Sequence, residues 1–240
     1  MTERPILFSG PMVRAVLDDS KTQTRRIVKP QPIGRPWFWE GDSVDPEPQW
    51  FGGYERGRAP CGAGIEDINK PIRCPYGQPG DRLWVRETWA LLRGADSKEA
   101  YRGIPGSKPT EKNTVLGMVP VPIYAADGQR PDVVEPHFEA HRPMRWKPSI
   151  HMPRWASRIT LEVTGVRVER LQDISEEDAR AEGVNEFPIR FQDQRGRIRQ
   201  ATYHRMTESN KEAFQRLWRS VYGGDSWDAN PWVWVVEFRR

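Results

Sequence analysis

Lys21-Thr22-Gln23-Thr24-Arg25-Arg26 puts more reactive chemistry into six residues than any other part of this chain. The run reads as the start of a strand over 21–28. Side chains alternate along a strand, so Thr22, Thr24 and Arg26 share one face and Gln23, Arg25 and Ile27 the other. Lys21 stands at the turn before the strand, where its long side chain can bend to either face. An amine, a hydroxyl and a guanidinium can therefore converge at the mouth of a small barrel. The same run also reads as an edge strand blunted by charge, and the residues alone leave both readings open.

Other candidates are weaker. The chain has no Walker A loop, no GxGxxG, no HExxH and no GxSxG elbow. Cys61, Cys74, His137 and His141 could be imagined around zinc, but their spacing matches no finger pattern. No metal and no cofactor is expected. Base recognition needs a stacking face and polar edges. Trp155 with Arg154, just before a long strand, is the first candidate, and Trp84, Trp89 and Glu87 are the second. Each Trp also reads as ordinary core.

The elements that must position these groups are legible in part. Ser9 caps a helix in which Pro11 occupies the first turn and Val13, Val16 and Leu17 recur at helical spacing. The turn Pro79-Gly80-Asp81 precedes a strand over 82–89. Ile159, Leu161 and Val163 alternate with polar residues in a half-buried strand, and Gly165 marks a bulge. Ser175 with Asp178 starts a helix that Gly183 ends. Ser209 and Glu212 repeat the capping pattern before Phe214, Leu217, Trp218 and Val221, and Gly223 stops that helix. Trp232, Trp234, Val236 and Phe238 share one face of a final strand. Between these lie two Pro- and Gly-rich stretches, 29–79 and 91–154, which read as irregular insertions whose aromatics pack on the rest.

Composition sets the class. The chain has 240 residues, 37% of them hydrophobic, enough for a sizeable core. Eleven Trp, eight Phe and six Tyr exclude full disorder despite a mean hydropathy of −0.77. No run reaches the ~18 apolar residues of a membrane span, and the N-terminus lacks a secretory apolar region. Two cysteines make no disulfide framework, so a cytoplasmic setting, in a bacterial or phage-infected cell, is expected. The net charge is only +4, yet 29 of the 37 basic residues are Arg. Arg suits bidentate contacts to phosphates and base edges and stacks on aromatics; a GC-rich genome, which favours Arg codons over Lys, accounts for the same excess without any such function.

Taken in order, the initial helix with DDSKTQTRR, the turn and strand PGDRLWV, the strand RITLEVTGV, then LQDISEEDARAEGV, KEAFQRLWRSVYG and VWVVEF resemble the ASCH family, a branch of the PUA-like β-barrels. Ser20 stands where that family usually has Gly, and the two insertions are not covered. In overall character the chain is similar to the phage and prophage branch. The resemblance implies an α+β fold: a PUA-like (ASCH) small β-barrel with flanking helices and two long irregular insertions. One domain spans 1–240, with its core in 5–28, 80–90 and 155–240 and insertions at 29–79 and 91–154.

The resemblance also implies a function. The family includes small bacterial N4-acetylcytidine amidohydrolases, which use a Lys as proton acceptor, a Thr as nucleophile and a Glu as proton donor. The first two match Lys21 and Thr24. The third aligns with Glu182, with Glu176 and Glu177 as fallbacks. A free hydroxyl is a weak nucleophile and needs a base. Lys21 serves only when neutral, so burial and neighbouring cations such as Arg25 and Arg26 must lower its pKa. Arg26 can stabilise the oxyanion, and Glu182 should have a raised pKa in order to protonate the leaving amine. The expected activity is metal-independent hydrolysis of N4-acylated cytosine nucleosides. The alternative is a non-catalytic module of phage origin that binds RNA, single-stranded nucleic acid or modified DNA, favoured by the basic stretch Arg190, Arg195, Arg197, Arg199 and Arg205. A nuclease would want a His pair, and nothing in the sequence places His151 beside His204.

Overall fold

The computed structural model describes residues 1–32, 36–39, 49–52, 70–92, 121–128, 145–184, 189–192, 198–201 and 209–240. In chain order the elements are β1 (Glu3–Leu7), α1 (Gly10–Leu17), β2 (Gln23–Ile27), β3 (Trp37–Trp39), β4 (Gln49–Gly52), β5 (Lys70–Ile72), β6 (Arg82–Arg86), β7 (Trp89–Leu92), β8 (Val121–Tyr124), β9 (Thr160–Arg170), α2 (Glu176–Ala181), β10 (Ile189–Gln192), β11 (Ile198–Ala201), α3 (Asn210–Tyr222) and β12 (Trp232–Arg239). The architecture is mixed α+β. Its centre is a five-stranded sheet in the order β1-β6-β9-β12-β2, in which β1 and β6 run parallel and the other pairs antiparallel.

Local signals explain the helices. Ser9 is extended at the position before α1, but, against expectation, its side chain makes no capping hydrogen bond; Pro11 lies in the first turn, and Val13, Ala15 and Val16 are buried. The Ser175 hydroxyl accepts from the Asp178 amide at the start of α2. Ser209 and Glu212 make a reciprocal capping box on α3, satisfying two amides left over by the helical ladder.

Both faces of the sheet are covered. On one, Trp234, Val236 and Phe238 of β12 pack with Ile6, Val85, Leu161 and the α1 residues Val13 and Val16. On the other, Val233 and Val235 pack with Phe214 and Trp218 of α3 and Ala179 of α2. The alternation read for β12 thus holds, but its second face is buried too. Opposite Glu237 and Phe238 the register skips a residue: Glu237 faces Gly165 and Phe238 faces Val163, leaving Thr164 as the bulge. Glycine lets the Glu237 carboxylate lie close there: a Cβ at 165 would come 2.5 Å from Glu237 Oε2 and make that side chain shift.

Two expectations are corrected. The sheet is not a closed barrel: among the described residues no ladder joins β1 to β2, and each is an edge. Pro5 has no amide to offer a neighbour, and the Arg26 guanidinium, not a strand, reaches the Leu7 carbonyl at 2.8 Å. The insertions are also not wholly irregular. β3, β4 and β5 form a three-stranded sheet and β7 pairs with β8. As expected, the first insertion packs through its side chains: Trp50, Ile72, Cys74 and Tyr76 lie against the main core, and Phe38 meets Trp50 at 5.2 Å. β10 and β11 pair antiparallel, and of the basic stretch they carry Arg190 and Arg199. Among the described residues no helix is long and apolar enough to cross a membrane.

Candidate functional site

Lys21 follows the turn that ends α1. Asp18 Oδ1 accepts from the Ser20 amide, and the Lys21 amide donates to Ala15 O at 2.9 Å. The next amide, of Thr22, donates to Ala181 O, so the chain is sewn to the end of α2 before β2 begins. Lys21 and Glu182 form an isolated β-bridge. Gly183, at φ +75°, makes this approach possible: a Cβ there would lie 2.8 Å from Ala15 Cβ and 3.0 Å from Lys21 Cβ.

The side chains meet at the same place. Lys21 Nζ donates to Glu182 Oε2 at 2.8 Å, to Glu182 O at 2.9 Å and to Gln23 O at 2.8 Å. All three ammonium donors are used, and both residues are only 2% exposed. Burial pushes the Lys21 pKa below its usual range; Glu182 pulls it up, and Arg26 and Arg25 push it further down. The bond to Gln23 O places Nζ beside the Gln23–Thr24 peptide. Thr24 is itself buried, and no hydrogen bond engages its hydroxyl among the described residues. Thr24 pairs with Val236 and Arg26 with Trp234, so both lie on the sheet face that carries the larger core. Phe8 is their common neighbour: Lys21 Nζ lies 5.6 Å and the Arg26 guanidinium 5.8 Å from its ring centre.

Among the three acidic candidates, geometry separates Glu182 from the others. The carboxylate of Glu176 accepts from the Asn210 amide at 2.8 Å, joining α2 to the start of α3. Glu177 is exposed. Only Glu182 reaches Lys21.

The residues expected to hold a base lie elsewhere. Glu87 is buried and gripped by Arg158 through two bonds of 2.9 and 3.0 Å, and Arg158 also holds Asp127. Burial pushes the Glu87 carboxyl up, against the pull of Arg158. Trp89 is buried with Lys147 over its ring at 4.8 Å, and Trp155, 39% exposed, meets it edge-on at 6.0 Å. Arg154 turns to Glu3 and Thr160 and lies over Trp84. Among the described residues no bond or ring contact joins this cluster to Lys21 and Glu182. Helix α1 touches both sides: its Arg14 donates to Ala126 O, next to Asp127, and its Ala15 O accepts from the Lys21 amide.

Cys61, His137, His141 and His204 lie outside the described residues, as do Arg195, Arg197 and Arg205. Cys74 is half-buried, with its thiol pushed up to about 11 by burial, and His151 is exposed. Among the described residues no group of three His, Cys, Asp or Glu could hold a metal ion.

The sequence reading missed two participants and the contacts of a third. Phe8 carries no signal beyond its place after a short strand. Tyr76 follows the Pro-rich stretch, packs on the main core and lies within electrostatic reach of Arg26. Arg25 was seen as a neighbouring cation, but its contacts were not: Nη2 binds Asp178 at 2.7 Å and Glu169 at 3.2 Å.

Fold and site together define a mixed α+β protein with a buried Lys–Glu pair at the edge of its main sheet, beside a threonine whose hydroxyl makes no hydrogen bond among the described residues. Comparison with family models, curated proteins and solved structures found no match.

Proposed function

We propose that this protein is an amidohydrolase that removes the acyl group from N4-acylated cytosine nucleosides, releasing the cytosine nucleoside and a carboxylate. The observation that carries the reading is the 2.8 Å contact between Lys21 Nζ and Glu182 Oε2, buried beside the Gln23–Thr24 peptide. It draws together two residues 161 positions apart that the ASCH resemblance had singled out. The five-stranded sheet, covered on both faces and with α1 packed on one of them, supports placing the fold with the PUA-like proteins, with no ladder between β1 and β2 among the described residues.

The chemistry follows from the groups. Neutral Lys21 takes the Thr24 proton as the hydroxyl oxygen attacks the acyl carbon, and the Arg26 guanidinium balances the oxyanion. The proton crosses from Lys21 to Glu182 and then to N4, so the C–N bond breaks with a neutral amine leaving and the acyl group on Thr24. Water, deprotonated by Lys21, attacks this ester and restores the hydroxyl. Nucleophile, base and acid are all side chains, so the scheme has no step that calls for a metal.

Incubation with N4-acetylcytidine, followed by its ultraviolet change, tests the reading. Cytidine and acetate should form. The value of kcat/KM should rise with pH along a limb below the ~10.4 of an ordinary lysine, because burial holds Lys21 down. No hydrolysis by folded protein would refute the reading.

The antiparallel β10–β11 pair, whose strands include Arg190 and Arg199, favours a second reading, a module that binds RNA or single-stranded nucleic acid. Salt separates the two. A free nucleoside releases no counterions on binding, so its turnover should vary little with ionic strength, and it should be processed at least as well as the same base in an oligonucleotide. Strong preference for the oligonucleotide, lost steeply as salt rises, would favour the binding module.

A further inference from the structure

The Glu182 carboxylate is shared between two cations. Oε2 is held by Lys21, whereas Oε1 faces Arg25 Nη1 at 3.5 Å and accepts no hydrogen bond among the described residues. Arg25 lies on the face of β2 turned away from Thr24, over the Phe214 ring at 5.9 Å. Its side chain is fully buried, and its charge is divided among Asp178, Glu169 and Glu182. We propose that Arg25 is a positioning residue that keeps the Glu182 carboxylate balanced when Lys21 gives up its proton, and that Asp178 sets how much of its charge Glu182 receives. The proposal rests on the amidohydrolase reading only for its catalytic consequence.

The physical argument concerns charge. With Lys21 as ammonium, Glu182 has two cationic neighbours. When Lys21 becomes the neutral base that attack requires, Arg25 is the buried cation left beside the carboxylate. A buried carboxylate without a counter-charge is strongly disfavoured, so Arg25 eases deprotonation of Lys21. Other charges act on the pair from every side. Arg26 adds a cation from β2. From α2, Asp178 draws on Arg25. From β9, Glu169 draws on Arg25 while Arg167 binds Asp178 and Glu169. From β12, Glu237 binds Arg167. Asp178 is thus the main competitor for Arg25.

The two variants should move the pair in opposite directions. Arg25→Gln removes the cation, stabilises the Lys21 ammonium and shifts the rising limb of kcat/KM alkaline by roughly one pH unit. Asp178→Asn frees Arg25 for Glu182 and shifts the limb acid. A loosened fold lowers rates in both variants but does not move the limbs apart. The Lys21 15Nζ titration, followed by NMR in the full chain, should move in the same two directions and requires no turnover. If wild type fails to hydrolyse N4-acetylcytidine, the amidohydrolase reading falls and the NMR titration still decides the role of Arg25. An unmoved Lys21 titration in Arg25→Gln, or movement of both variants in one direction, would overturn the proposal. Should Arg25→Gln fail to fold, an acid shift in Asp178→Asn supports it and an unmoved or alkaline titration rejects it.

Discussion

Thr24→Ala is expected to lower the turnover of N4-acetylcytidine by ~100-fold or more, the scale of losing an activated nucleophile or its acid–base partner. Lys21→Ala and Glu182→Ala should match it, because the three act as one unit and their losses do not add. Thr24 makes the cleanest test. Its hydroxyl is tied into no hydrogen bond among the described residues, so alanine removes a reactive group and no structural link. A steady-state assay on protein whose circular dichroism matches wild type measures the effect. Wild-type activity in folded Thr24→Ala would eliminate threonine as the nucleophile.

The pair itself should dominate stability. Lys21→Met leaves the Glu182 carboxylate buried with only the 3.5 Å contact to Arg25, and two carbonyls lose their donor. Breaking a buried pair from one side costs about 3–5 kcal/mol. Replacing both partners, as in Lys21→Met with Glu182→Leu, removes both charges and should cost less than Lys21→Met alone. Urea unfolding of the two variants checks this. A double variant less stable than Lys21→Met would show that the carbonyl bonds, not the charges, carry the effect.

This stability cost bears on how the catalytic variants are read. A loss of activity in Lys21→Ala mixes chemistry with folding, whereas the same loss in Thr24→Ala does not. Arg25→Lys offers an intermediate check, since it keeps the charge while giving up the planar contact to Asp178.

How much of this was visible in the residues depended on the range of the signal. The capped helices were legible because a cap is decided within four residues: Ser175 with Asp178 and Ser209 with Glu212 behave as read. The long strands β9 and β12, with their bulge, were legible from alternation and one glycine. Strands β3, β4 and β5 were not, because three or four residues between prolines give no period to count. The parallel partnership of β1 and β6 spans the whole of the first insertion and leaves no local trace. In the site, Glu182 was found through resemblance and not through its own pattern, since an acidic residue at a helix end is ordinary. The competition of Glu87, Asp127 and Tyr124 for Arg158 could not be read, because it joins three separate segments. The two readings of the Lys21–Arg26 run proved compatible in one respect: β2 is an edge strand, and Arg26 both reaches the Leu7 carbonyl of β1 and faces the Phe8 ring.

The distance in sequence between Lys21 and Glu182 also bears on how the molecule comes to be folded. β2 finds its ladder only with β12, more than 200 positions away, and Glu182 reaches Lys21 across 161. Contacts of such long range carry a large loop-closure cost before they contribute anything, which slows folding. Helix α3 can form early from its capping box and apolar face, and α1 from its apolar face, but neither brings the lysine to the glutamate. The two are therefore expected to meet late in folding, after the helices. Because Glu182 supplies two of the three acceptors around Lys21 Nζ, the ammonium gives up its water for the residue that carries its counter-charge.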